Sequence, residues 1–251
     1  MEYSPSYSCF ADVYDILTDD VEYEKRCEYI EKLFRKHMSY TPDLVADLGC
    51  GTGTVCSIMA QKGYDMIGID SSDSMLYKAS QKAGGEKILY LLQDMTSFEL
   101  YGTVDAFLCM LDSLNYVTEP EDVEDVFSLV ANYLNPGGVF IFDVNTFYKY
   151  ENILSDNTFV FEEKNVFYTW ENSFDGEYCD YLLNFFVKDA NGMYTRLSEE
   201  HSQKYHSREF LERAIKKAGL SLEGIYGEMT ESAPKEDDQR VFYVVKRPET
   251  I

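Results

Sequence analysis

The sequence predicts an α/β fold in which a doubly wound parallel sheet is followed by an inserted antiparallel sheet. Three observations carry that prediction. Apolar runs of strand length alternate with helix-period segments from about 43 to 144. The period then drops to two over about 158–205, with the turn dipeptides Asp175-Gly176 and Asn191-Gly192 between runs. Early in the alternating part stands DLGCGTG, Asp47 to Gly53, with three glycines at alternate positions.

The elements follow in order. Phe10, Val13, Tyr14 and Leu17 fall at i, i+3, i+4 and i+7, one face of a short N-terminal helix. A second helix covers about 21–38 and ends before Thr41-Pro42. DLVADL (43–48) reads as a strand, TVCSIMAQKG (54–63) as a helix closed by Gly63, and YDMIGID (64–70) as a strand. SSDSMLYKASQKAGG (71–85) reads as a helix stopped by Gly84-Gly85. KILYLL (87–92) and VDAFLCM (104–110) are buried strands. Glu119-Pro120 opens a helix with Val123, Val126, Phe127, Val130 and Leu134 on one face; Asn135-Pro136-Gly137-Gly138 ends it. GVFIFDV (138–144) is the next strand. After the insertion, Ser207 caps a helix that Gly219 terminates, and strands at about 220–229 and 241–246 close the chain. The domain division is therefore 1–150 with 206–251 as a core, and 151–205 as an insertion.

With 251 residues, 45% of them hydrophobic, the chain can bury a sizeable core. No stretch approaches the roughly 20 apolar residues of a membrane helix. The start, MEYSPSYSCF, lacks the basic and apolar pattern of a signal peptide. Cys9, Cys27, Cys50, Cys56, Cys109 and Cys179 form no CxxC pair and read as reduced cytoplasmic thiols. His37, His201 and His206 form no metal pattern, so no metal site is expected. Lys+Arg 22 against Asp+Glu 45 gives a net charge of −23. Such a surface repels phosphate backbones and argues against nucleic acid as partner.

The glycine loop asks for an explanation, because each glycine inside an element costs roughly 0.5–1 kcal/mol against alanine. A dinucleotide fingerprint, G-x-G-x-x-G, would need glycine at position 54, which is Thr54. A phosphate-binding Walker loop would need Gly-Lys-Ser/Thr, which does not follow. The loop points instead to an occupant that carries adenosine without phosphates. Asp70, at the end of the second strand, is placed to accept two hydrogen bonds from a ribose diol. Ser71 follows it, and Met75 lies one helical turn on, beside the base. Gln93-Asp94-Met95 ends the third strand, where a carboxylate can accept from an adenine amino group.

This assembly resembles the class I S-adenosylmethionine-dependent methyltransferases. VADLGCGTG resembles their glycine motif, IGIDSSDSML their ribose-binding segment, QDM their adenine-side segment and LNPGG their turn before the fifth strand. The resemblance covers about 40–145 and implies a Rossmann-like, seven-stranded sheet whose last strand is antiparallel. It implies S-adenosylmethionine as cofactor, held by Gly49, Cys50, Gly51, Gly53, Asp70, Ser71, Met75, Asp94, Met95 and Leu111. The inserted sheet is similar to that of small-molecule members such as the glycine and amino-sugar N-methyltransferases. Both of its faces are rich in large aromatics, so it is expected to act as a lid over the methyl group, with an oligomer interface as the alternative.

The acceptor side is less defined. The segment after the fourth strand, MLDSLNYV (110–117), lacks the Asn/Asp-Pro-Pro-Tyr motif of adenine and glutamine methylation. No proline precedes a cysteine, which excludes the cytosine-C5 pattern. A polar ring of Tyr14, Asp112, Asn115, Asn145 and His201 remains to hold the acceptor, with Tyr14, Asp112 and His201 as candidate catalytic groups. Tyr14 reads equally as a core tyrosine, and His201 as an ordinary strand histidine. The expected reaction is methyl transfer to nitrogen or oxygen of a small molecule, by a monomer or homodimer. Methylation of a protein or RNA, and binding of S-adenosylmethionine without turnover, stay open as alternatives.

Overall fold

A computed structural model describes residues 11, 13–18, 21–82, 84–163 and 165–249. Phe10 and Cys9 lie outside them. The chain forms β1 (Leu44–Leu48), β2 (Asp65–Asp70), β3 (Leu89–Leu92), β4 (Val104–Cys109) and β5 (Leu134–Asn145), all parallel. β10 (Ser221–Gly227) and β11 (Arg240–Lys246) complete a seven-stranded sheet of order β10-β11-β5-β4-β1-β2-β3. β11 is antiparallel to both its neighbours. Between β5 and β10 the inserted segment folds as a separate four-stranded antiparallel sheet. Its strands are β6 (Thr158–Glu163), β7 (Val166–Phe174), β8 (Tyr178–Lys188) and β9 (Tyr194–Lys204), in sequence order.

Helices cover both faces of the large sheet because successive strand residues point to opposite sides. Val45, Ala106, Leu108, Val139 and Ile141 pack against α2 (Tyr23–His37) and α3 (Thr54–Gln61). Ala46, Leu48, Phe107, Phe140 and Phe142 pack against α5 (Pro120–Tyr133) and α6 (Arg208–Lys217). Ser207 caps α6 as the sequence predicts, its hydroxyl accepting from the Phe210 N–H at 3.2 Å. α4 (Asp73–Gln81) connects β2 to β3, and the short α1 (Tyr14–Leu17) lies beyond the strand ends.

Two expectations are corrected. The sequence reads 87–92 as a buried strand, but β3 lies at the sheet edge with no neighbour beyond it among the described residues, and Leu89 and Leu92 stay exposed. The sequence places the fifth strand at 138–144, whereas β5 begins at Leu134, directly after α5. Leu134 pairs with Val104 and Val139 with Ala106, so Asn135–Gly138 form an irregularity inside the ladder. Gly138 is needed there, since a Cβ would stand 2.6 Å from the Asp105 carbonyl oxygen.

Candidate active site

β1 lies between β2 and β4, where the winding direction of the sheet reverses. Open α/β sheets bind ligands at this point, beyond the carboxyl ends of the strands. A cavity of about 890 Å³ opens there. Its floor is a series of strand ends: Gly49 and Gly51 after β1, Asp70 and Ser71 after β2, Asp94 and Met95 after β3, and Leu111 and Asp112 after β4. Tyr14 and Thr18 cover one side, and Phe161, Tyr168, Trp170, Tyr181 and Leu183 of the inserted sheet cover another.

The three glycines of the loop do different work. All have positive φ, at 67°, 53° and 69°, a region that favours glycine. Gly49 is crowded, and a Cβ would stand 2.8 Å from that of Ser113. Gly53 precedes α3, and a Cβ there would meet the Tyr90 hydroxyl at 2.5 Å and Ala79 at 2.8 Å. Gly51 faces open space, with no heavy atom within 4 Å of the Cβ position. It is the position that lets a ligand approach the backbone. Cys50 and Gly53 do not line the cavity; Cys50 is buried beneath the loop.

Asp70 is bound to this loop. Its Oδ2 accepts from the Gly51 N–H and its Oδ1 from the Ser72 N–H, both at 2.8 Å. A carboxylate has about four acceptor directions, so two remain for a ribose diol. Burial pushes the Asp70 carboxyl above its usual value, and the two N–H donors oppose that shift. Asp94 is exposed, and its Oδ1 accepts from the Thr96 N–H and hydroxyl, each at 2.8 Å. Open space at Gly51 with acceptor capacity at Asp70 and Asp94 fits an adenosine group without phosphates. Met75, Met95, Ser71 and Leu111 also face the cavity.

α1 is tied to the loop through Asp15. Thr52 donates its hydroxyl to Asp15 Oδ1 at 2.6 Å, and Lys82 Nζ donates to the same oxygen at 2.9 Å. Lys82 also reaches Thr52 and Thr54. This anchorage sets Tyr14, the preceding residue, against the cavity.

The far end of the cavity is polar and tightly connected. Leu111 and Asp112 both adopt the left-handed region, at φ 57° and 55°, each at a cost of about 1–2 kcal/mol. Asp143, fully buried on β5, accepts the N–H groups of both, at 2.8 and 3.1 Å. Arg240 pairs with Asp143 and with Asp112 Oδ1, the latter at 2.5 Å. Gln203 Nε2 donates to Asp112 Oδ2, while its Oε1 accepts from Tyr150, Tyr181 and Asn145. Burial would raise the Asp112 carboxyl, but Arg240, Lys149 and Gln203 outweigh it and hold it below the usual range. Lys149 donates to Asn145 Oδ1 at 2.9 Å.

Tyr14, Asp112 and Asn145 of the predicted polar ring line this cavity; Asn115 and His201 do not. Asn115 is buried and ties the two sheets, donating to the Lys204 carbonyl and accepting from the Asn145 N–H. His201 opens on a smaller cleft with Asn172 and Glu200. Its ring packs edge-on to Tyr116, which does line the main cavity, at 6.0 Å between centroids. Burial lowers its pKa to about 4 and keeps the imidazole neutral.

Lys149, Gln203 and Arg240 were not singled out by sequence. A signal existed for Arg240. Because β11 runs antiparallel, its first residue pairs with Asn145 at the carboxyl end of β5. Among the described residues no group of three or more His, Cys, Asp or Glu is placed to hold a metal ion. No helix of the described residues is long and apolar enough to cross a membrane.

Residues 45–138 match the model of a methyltransferase domain family. YqeM of Bacillus subtilis (strain 168) is 32% identical, over 98% of each chain. A dTDP-3-amino-3,6-dideoxy-α-D-glucopyranose N,N-dimethyltransferase of Streptomyces fradiae is 25% identical, over 86% of each chain. The crystal structure of an S-adenosylmethionine-dependent methyltransferase from Clostridium acetobutylicum ATCC 824 superposes with a TM-score of 0.87 at 31% identity, covering 96% of this chain and 99% of that one. With the fold, the strand-end cavity and these whole-length likenesses in agreement, the chain belongs to the S-adenosylmethionine-dependent methyltransferases.

Proposed function

We propose that this enzyme methylates a nitrogen or oxygen of a small-molecule acceptor enclosed between the strand ends and the inserted sheet. The observation that carries the reading is the continuity of the cavity. One space of about 890 Å³ runs from Gly51 and Asp70 to Asp112 and the aromatic wall of Trp170 and Tyr181. That volume stands at the upper end of the roughly 300–1,000 Å³ usual for ligand sites, room for a cofactor and a small partner together. The likeness to an amino-sugar N,N-dimethyltransferase supports an acceptor of metabolite size.

Gly49, Gly51, Asp70, Ser71, Met75, Asp94, Met95 and Leu111 are the residues assigned to the cofactor. Bound S-adenosylmethionine supplies a methyl group on a sulfonium, whose C–S bond breaks with its electron pair kept by sulfur, leaving S-adenosylhomocysteine. The chain has to orient the acceptor in line with that methyl group and exclude water. Asp112 is fixed for this purpose by Arg240 and Gln203, Tyr14 covers the cavity, and His201 shapes it through Tyr116. Residues 151–205 are read as the lid, and 1–150 with 206–251 as the cofactor-holding core. The reading includes a cytoplasmic location, supported by five described cysteines that are buried and unbridged.

Incubation with S-adenosylmethionine labelled in the methyl group tests this. Separate reactions contain a panel of small amines and alcohols, purified cell protein, or RNA. Label in a small molecule is expected. Label confined to protein or RNA would favour a macromolecular acceptor, and tight S-adenosylhomocysteine binding with no transfer would favour a sensor.

A further inference from the structure

Lys149 opens a π-helical turn, Lys149–Leu154, that follows β5 after Thr146, Phe147 and Tyr148. Such turns are rare and frequent at functional sites. The side chain lines the cavity beside Asp112 and Arg240. We propose that Lys149 is the proton acceptor of the reaction, taking a proton from the ammonium group of an amine acceptor held in this cavity. The proposal deepens the small-molecule reading above and rests on it.

Geometry leaves few rivals. Asp70 and Asp94 stand at the cofactor end, committed to Gly51, Ser72 and Thr96. Asp112 has Arg240 on one oxygen and Gln203 on the other. Tyr181 donates its hydroxyl to Gln203 at 2.7 Å. Arg240 does not give up its proton in proteins. Glu163 is exposed at the end of β6, on the rim. Lys149 spends one Nζ direction on Asn145, at 2.9 Å. As a neutral amine it offers a lone pair.

The surroundings suit that role. Burial comes first, and Arg240 on β11 second, in pushing the Lys149 ammonium down to about 8. Asp112 after β4, Asp143 on β5 and Glu228 after β10 act the other way and limit the drop. A general base works best when its pKa lies near the working pH. In the step itself, an N–H bond of the acceptor's ammonium breaks and its electron pair stays on nitrogen as the nucleophilic lone pair. A new N–H bond forms at Nζ, and the proton later passes to water. An alcohol is far too weak an acid to lose its proton to an amine, so the site selects amines for activation.

The test uses the full chain, its Lys149→Arg and Lys149→Met variants, and two amine probes. These are dTDP-3-amino-3,6-dideoxy-α-D-glucopyranose and glycine. Arginine keeps a cation at this position but cannot accept a proton. Carbon-13 NMR of lysine labelled at Cε should show one resonance, absent from both variants, titrating at about pH 8, against the usual value of about 10.4. With a methylated probe, the parental kcat/KM should rise about tenfold per pH unit to a plateau near that midpoint. Lys149→Arg should bind S-adenosylhomocysteine within about twofold of the parent, lose roughly 10²–10⁴ in kcat/KM, and lose the pH limb. Turnover by Lys149→Arg at the parental rate with the limb intact, or a Lys149 midpoint near the usual lysine value, would overturn the proposal alone. If neither probe nor any other small amine is methylated, the small-molecule reading fails, and the proposal with it.

Discussion

The Gly51 N–H donates to Asp70 Oδ2 at 2.8 Å, so the loop after β1 and the carboxylate after β2 are held as one unit. With Asp70 proposed as the ribose acceptor, removing its carboxylate takes away that acceptor and the bond that holds the loop. We expect Asp70→Ala to weaken S-adenosylhomocysteine binding roughly ten- to a hundredfold, from the loss of about 1.5–3 kcal/mol of charge-assisted hydrogen bonding. Titration calorimetry reads this, and unchanged affinity would remove Asp70 from the cofactor site.

Two glycines of the same loop should respond oppositely. At Gly51 an added methyl group meets no protein atom and enters the cavity. Gly51→Ala should lower cofactor affinity more than about tenfold, with a stability loss limited to the strain of about 1–2 kcal/mol at its φ of 53°. At Gly53 the methyl group collides with Tyr90 and Ala79. Gly53→Ala should therefore lose a further 1–3 kcal/mol (about) of stability through overpacking. Denaturant midpoints and calorimetry on both variants check the contrast, which equal profiles would refute.

Asp47 supplies a pH dependence. It is buried under the loop, where the Cys56 thiol donates to it at 3.4 Å, and burial pushes its carboxyl up to about 7. A folded-state pKa above the unfolded one means that this group's stability is complete below the ordinary carboxylate range and is lost as pH rises through about 7. Asp47→Asn cannot ionise. It should gain on the parent as pH rises from about 4 to 8, by roughly 3–4 kcal/mol at the upper end. Unfolding curves of the cofactor-free proteins measure this, and a pH-independent difference would contradict it.

Much of this architecture was legible because burial imposes periodicity. Strand and helix periods, Ser207 as a cap and two turn dipeptides located nearly every element, and Gly49, Gly51 and Asp70 marked the strand-end cavity that they line. The polar far end of the cavity was not legible, for physical reasons. Lys149 in FYKYEN and Gln203 on a half-exposed strand resemble any solvated side chain until the chain folds back on itself. Arg240 follows a polar loop, and only the reversed direction of β11 carries it to the strand ends. His201 stood out as a rare residue type, yet Tyr116 takes the cavity position beside it. Gly51 and Gly53 look alike in sequence and differ only in what surrounds them.

The proposed division of labour between strand ends and inserted sheet is tested most directly at Trp170. Deleting the insertion would uncover Val13 and Met75, which share an apolar cluster with Val166, Tyr168 and Phe185; a point variant is cleaner. Trp170 lines the cavity and meets Tyr181 edge-on at 5.6 Å. The measurement is a paired one on Trp170→Ala, S-adenosylhomocysteine affinity by calorimetry and kcat/KM for a methylated small molecule. We expect affinity within about twofold of the parent and kcat/KM reduced more than about tenfold, as about 1.4 kcal/mol or more of acceptor contact is lost. Loss of cofactor affinity with acceptor turnover preserved would contradict the assignment of the inserted sheet to the acceptor.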